Sequence, residues 1–295
     1  MKKSAGNARS VAALLGSGTS TQVGAGIGAL AFPAIGPAGV VAVRQLVAAV
    51  ALLALSRPSP RRMTWAQWWP VLVLAVIFSV MNLSLYVAID RIGLGLAVTL
   101  EFLGPLTVAL LGSRGRSELL IAAAAGVGVY VLVLPDASSD PIGIGLALLA
   151  AACWAGYIVV NRVAGSRLPG VQAPALAAAI SVLIYMPVLA TLVAQGRLSG
   201  TPLLYAIAAG VLSSVIPYAT DLMVLRSVPP RLFGVLMSAQ PGLAALAGLV
   251  VLGQVLALHE WIGLAIVATA NALAVGLSRP VRTVPAQAPV LEPAA

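Results

Sequence analysis

The sequence predicts an all-α integral membrane protein: ten transmembrane helices arranged as two inverted five-helix repeats. Three observations predict it. Hydrophobic residues make up 60% of the 295 positions and charged residues 8%, with a mean hydropathy of +1.04. So few charges cannot clothe a soluble protein of this size. Ten apolar stretches each approach the roughly 20 residues that cross a bilayer as a helix. Lysine and arginine alternate from side to side as ten crossings require.

Polar or Pro/Gly punctuation marks the spans in order. The first, 11–32, ends before Pro33 and is polar for a span, with Ser17, Thr19, Ser20, Thr21 and Gln22. That polarity argues against a cleaved signal peptide behind Met-Lys-Lys. Span two, 37–56, opens on Pro37 and contains Arg44. Span three, 68–88, stops at the Asp90-Arg91 turn, expected to be solvated. Span four, 94–112, carries Glu101 and Pro105. Spans five and six, 119–134 and 142–161, flank the loop of Asp136 and Asp140. Spans seven and eight, 173–194 and 202–224, flank Arg197, and Asp221 lies near the end of span eight. Span nine, 232–252, has Pro241 midway, and span ten, 261–278, precedes a Pro- and Ala-rich tail, 279–295, expected to be disordered and cytoplasmic. No connection is long enough to hold a soluble domain.

The basic residues test the count. With the N-terminus inside, 14 of the 17 lysines and arginines fall in cytoplasmic segments, Arg91 and Arg197 fall outside, and Arg44 lies within the membrane. A missed helix would scramble that alternation, so both termini are expected at the cytoplasmic face of a bacterial inner membrane. The net charge of +9 is then a topology signal. Its carriers are scattered over short segments, which excludes a nucleic-acid-binding patch.

Chemistry is excluded as well. Lysine occurs only at positions 2 and 3, so no phosphate-binding GxxxxGK loop exists. The single histidine, His259, has no cluster of metal ligands beside it, and no Ser/His/Asp nucleophile system is assembled. The single cysteine, Cys153, sits within a span and cannot found a disulfide framework. The expectation is no metal, no cofactor and no enzyme.

The chain also repeats itself. Residues 86–105 read YVAIDRIGLGLAVTLEFLGP and residues 222–241 read LMVLRSVPPRLFGVLMSAQP, an offset of 136. Both contain a span end, a short polar turn and a span with a proline midway. Five spans per half is an odd number, so the halves, 1–138 and 139–278, must insert in opposite orientations. Inverted repeats of this kind are the architecture of secondary transporters, with the binding site near the midplane between halves. Two unrelated proline-containing helices could also look alike.

Polar groups inside the membrane carry the functional signal. Arg44 and Glu101 each lie seven residues past the outer start of their spans, hence roughly 10 Å deep at 1.5 Å per residue. A lone charge at a helix centre costs about 2.5–3.5 kcal/mol. They are expected either to pair and fix helix packing or to touch substrate and a coupling proton. Asp221 either reaches the interface or joins that set. Gln22, Asn82, Tyr86, Trp154, Tyr157 and Gln240 would add a polar, nearly uncharged lining, the three aromatic rings offering faces to an ammonium group. Each could equally be an interhelical packing residue. Gly24 and Gly28 form a close-packing motif.

The motifs MNLSLY (81–86), LEFLGPLTVAL (100–110), ACWAGYI (152–158), PYATDL (217–222) and RLFGVLMSAQP (231–241) resemble the EamA-type carriers of the drug/metabolite transporter superfamily. Within it they look most like the branch that exports threonine and homoserine. The resemblance covers nearly all ten spans. It implies an ATP-independent inner-membrane exporter of small amphipathic or zwitterionic solutes, exchanged for protons. It also implies functional positions at Gln22, Arg44, Asn82, Tyr86, Glu101, Trp154, Tyr157 and Asp221. Two departures stand out: Gln240 and Gln254 occupy positions where that branch carries glutamate, which is expected to alter substrate charge preference or coupling. The other readings are an exporter of other metabolites or drugs and a lipid-modifying membrane enzyme.

Overall fold

A computed structural model describes residues 2–111, 116–134, 140–217, 220 and 235–277. Among them every regular element is a helix. In order come α1 (Lys2–Ala29), α2 (Phe32–Ser56), α3 (Trp65–Ile92), α4 (Leu94–Glu101), α5 (Leu103–Leu111), α6 (Arg116–Leu132), α7 (Pro141–Gly165), α8 (Gln172–Ala194), α9 (Gly200–Gly210), α10 (Gln240–Leu252) and α11 (Leu258–Leu277). With α4 and α5 counted as one broken span, these correspond to the ten expected segments. Seven are long and apolar enough to cross a membrane, and Leu119–Leu132 and Gly200–Val215 are shorter apolar helices. The polar α1 is the tenth. Asp136, Asp221, most of the second repeat motif and the tail 279–295 lie outside the described residues.

Several boundaries depart from the sequence reading for local reasons. The first turn falls at Leu30–Ala31, and α2 starts at Phe32 with Pro33 in its first turn, where a missing N–H costs nothing. Gly36 at φ 70° then kinks α2 ahead of Pro37. Span four breaks at Phe102, because Pro105 has no N–H to return to the Glu101 carbonyl. The same logic breaks the helix before α10: Val235–Met237 is helical, Ser238 and Ala239 turn, and Pro241 leaves the Met237 carbonyl free. After α9 the helix widens into a π turn, Val211–Val215.

α3 packs along α7 and α8, α2 along α8 and α9, α1 along α9 and α10, α4 along α7 and α10, and α6 along α11. In a bilayer such contacts come from close packing, since lipid tails are as apolar as leucine. Gly24 and Gly28 permit one of them. A methyl at Gly24 would collide with the Ser213 hydroxyl on the π turn, and one at Gly28 would lie 3.0 Å from Ala209 Cβ on α9.

The ends of the bundle are tied by basic residues. Arg91 pairs with Asp140 at 2.6 Å, and Arg197 donates to the Ala34 carbonyl at that same end. Asp140 also caps α7, accepting from the backbone N–H groups of Ile142 and Gly143 at 2.8 and 3.1 Å. Arg167 donates to the Ala66 carbonyl at the opposite end. A core of Phe32, Ile35, Tyr86, Ile89, Leu94 and Leu192 fills the half nearer Arg91. A smaller cluster, including Val71, Leu74 and Leu176, joins α3, α7 and α8 in the other half.

Candidate functional site

Below that core lies a cavity of about 260 Å³. Ligand pockets for drug-sized molecules usually run from about 300 to 1,000 Å³, so this one suits a small metabolite. Gln22, Arg44, Asn82, Tyr86, Glu101, Trp154, Tyr157 and Gln240 all line it. The helix breaks and the π turn explain the convergence. They bring Glu101 and Phe102, Met237 and Gln240, and Ser213 and Ser214 to its wall. Irregular backbone at membrane depth is tolerated where it lines such a cavity.

Arg44 and Glu101 do not form an ion pair. The only salt bridge among the described residues is Arg91–Asp140. They line one cavity without meeting, because α2 and α4 do not pack along each other. Arg44 instead donates from Nε to Ser214 Oγ at 3.2 Å and from Nη2 to the Ser213 carbonyl at 3.4 Å. Its guanidinium lies 5.2 Å from the Tyr86 ring centroid, a cation–π contact. Glu101 is 6% exposed and, among the described residues, accepts no hydrogen bond. These are the only charged side chains on the wall among the described residues.

The neutral groups sort into those satisfied by protein and those left open. Gln22 Nε2 donates to Gln240 Oε1 at 2.7 Å, joining α1 to the start of α10. Asn82 Nδ2 donates to the Phe78 carbonyl one turn back at 2.7 Å. Tyr86 is fully buried and its hydroxyl is the one enclosed side-chain polar atom without a partner among the described residues. The expected free aromatic faces are partly spent. Arg44 covers Tyr86, Trp154 meets Phe102 edge-on at 4.7 Å, and Tyr157 tilts against Phe78 at 5.5 Å.

Two residues depart from the sequence reading. Gln254 is not at the cavity. Its Oε1 accepts from the Leu94 backbone N–H at 2.9 Å, capping the start of α4, so its loss of charge bears on that helix end. Gln45 was missed and lines the wall beside Arg44. An amide within the apolar span two was the available signal. The Ser213 carbonyl was not findable, since no residue pattern announces a π turn.

With the geometry fixed, relatives place the chain. Residues 141–276 match the EamA-like transporter family. The threonine/homoserine exporter RhtA of Salmonella typhimurium (strain SL1344) is 36% identical over 242 residues, 81% of each chain. The chain belongs to the EamA-like transporter family. The RhtA of Escherichia coli (strain K12) is likewise 36% identical over 241 residues, 80% of this chain and 81% of that one. The uncharacterized transporter YwfM of Bacillus subtilis (strain 168) is 26% identical over 212 residues, 68% and 71% of the two chains. A crystal structure of 22% sequence identity shares the fold, with a TM-score of 0.58 over 90% of this chain and 97% of the other. As an EamA-like protein the chain is a multi-pass membrane transporter.

Proposed function

We propose that this EamA-like protein is a secondary active exporter of small amino acids such as threonine and homoserine, or related zwitterionic metabolites, coupled to protons by alternating access. The observation that carries the reading is the cavity's pair of separated charges. Arg44 offers a guanidinium and Glu101 a carboxylate that forms no ion pair among the described residues, both on the wall of one small space, complementary to a carboxylate and an ammonium on one solute. The 36% identity to threonine/homoserine exporters supports the substrate class.

Coupling follows from competition. Glu101 holds either the substrate's ammonium or a proton. A proton entering displaces the ammonium, and the solute leaves as the proton is carried the other way. Gln240 cannot titrate, so Glu101 alone performs this exchange among the described cavity residues. Asp221, outside the described residues, is the next candidate.

The two halves, 1–138 and 139–278, act as inverted five-helix repeats with both termini cytoplasmic. Helix packing supports this. Advancing every span by five turns the α1–α9 contact into α7–α3, α2–α9 into α8–α3, and α1–α10 into α7–α4, while α2–α8 and α6–α11 map onto themselves. Gln45 and Ser181, 136 residues apart, hydrogen-bond to each other, as counterparts beside a pseudo-two-fold axis would. The cavity extends toward Leu52 and Pro217, near the cytoplasmic ends of their spans, while the apolar core seals the other side. With both termini cytoplasmic, that arrangement fits an inward-facing state of a rocking cycle.

Counterflow of labelled amino acids in proteoliposomes, with and without a pH gradient, tests the reading. Saturable exchange of unchanged threonine or homoserine supports it. Chemical turnover without transport would assign the protein to a membrane enzyme instead.

A further inference from the structure

We propose that Gln45 contacts the transported solute as a hydrogen-bond acceptor, its amide carbonyl held toward the cavity by a chain of hydroxyls through Ser181 and Ser79. The proposal rests on the exporter reading and adds a residue and a recognition chemistry to it. Gln45, Ser79 and Ser181 are all buried. Gln45 Nε2 lies 2.9 Å from Ser181 Oγ, Ser181 Oγ lies 2.9 Å from Ser79 Oγ, and Ser79 Oγ lies 2.8 Å from the Ala75 carbonyl. Tyr185 braces the group by donating its hydroxyl to the Ser79 carbonyl at 2.7 Å.

Each hydroxyl has one proton to give. If Ser79 donates to Ala75, it must accept from Ser181. Ser181 has then spent its proton and must accept from the Gln45 amide. The amide N–H therefore points at Ser181 and the carbonyl Oε1 points away from it. Reversing the chain, with Ser79 donating to Ser181 and Ser181 to a flipped Gln45, gives up the Ala75 bond. The first order makes one hydrogen bond more and prevails.

Gln45 Oε1 has no partner among the described residues, yet it is not an enclosed orphan, because Tyr86 Oη is the only one there. It is reached from the cavity that Gln45 lines. A fixed acceptor at that place selects solutes with an N–H or O–H donor. Ser181 and Ser79 are positioning residues that act through Gln45.

The test compares wild type, Gln45→Met, Ser181→Ala and Ser181→Thr in proteoliposomes, with threonine and 2-aminobutyrate as solutes. These differ in the hydroxyl and share the amine. Thermal stabilisation of the purified proteins by both solutes and by ethanolamine is read alongside. Gln45→Met is expected to raise KM about tenfold with little change in maximal rate. Equal losses for both solutes assign the acceptor to the amine, and a loss confined to threonine assigns it to the hydroxyl. Ser181→Ala should raise KM in the same pattern, and Ser181→Thr, which restores a hydroxyl, should recover it. Should Gln45→Met fail to accumulate, the Ser181 pair decides. Unchanged KM across the variants overturns the proposal and leaves the exporter reading standing. If wild type transports neither solute but is stabilised by ethanolamine, and Gln45→Met abolishes that stabilisation, the exporter reading falls and the acceptor stands. If wild type neither transports nor is stabilised, both fall.

Discussion

Arg44 and Glu101 face one cavity without touching: the guanidinium is taken by Ser213, Ser214 and the Tyr86 ring, and the carboxylate is left without a hydrogen bond among the described residues. A paired Arg44–Glu101 would be a packing device. Two separated charges in a small space form a dipolar receptor, because Arg44 keeps N–H groups beyond the two it gives to Ser214 and Ser213 and Glu101 keeps its carboxylate for something that enters.

Arg44→Lys is expected to weaken transport without preventing insertion. Lysine keeps the charge but loses the planar fork that reaches Ser214 and Ser213 together and stacks on Tyr86. KM for threonine should rise about tenfold or more, equivalent to roughly 1.4 kcal/mol, in counterflow normalised to protein amount. An unchanged KM would remove Arg44 from the binding surface.

Gln240→Glu should insert normally and change the transport profile. A carboxylate still accepts from Gln22 Nε2, so the α1–α10 bond seen at 2.7 Å survives. The cavity gains a second titratable group, and the pH dependence or the preference among neutral and cationic amino acids should shift. Identical profiles across pH and substrates would show that this position does not sense solute or proton.

At the other functional extreme, the Arg91–Asp140 clasp is a stability element. The hydrogen bond from Arg91 holds the Asp140 carboxyl below its usual range, helped by the Gly143 N–H. A depressed folded-state value means the stabilisation is present above the ordinary carboxylate range and lost as pH falls through the lowered one. Asp140→Asn keeps an N-cap acceptor but loses the ionic partner. Its Tm in detergent should lie below wild type at neutral pH, and the gap should begin to narrow near about pH 4 and close as pH falls through the lowered value. A gap that persists in acid would point to the cap rather than the ion pair.

Much of this was legible in the sequence, for identifiable reasons. Hydropathy and the sidedness of arginine located ten segments, because a bilayer constrains length and charge strictly. Polar residues within spans marked eight side chains that the structure brings to one wall. Periodicity does not give neighbours, so the sequence marked Arg44 and Glu101, which line one cavity, while their separation was hidden. Gln254 was expected to bear on substrate preference or coupling, and its sequence distance from α4 gave no sign of its bond to Leu94. Gln45 acquires meaning only from Ser181 and Ser79, on two other helices.

The most direct measurement is threonine uptake into inverted vesicles under an imposed pH gradient, comparing wild type with Glu101→Gln. The substitution keeps shape and removes titration. Glu101→Gln should insert normally and still exchange solute slowly at equal pH, and it should lose the acceleration that the gradient gives wild type. Full gradient-driven uptake by Glu101→Gln would contradict the assignment of the coupling proton to Glu101 and move it to another carboxylate, with Asp221 first to be examined.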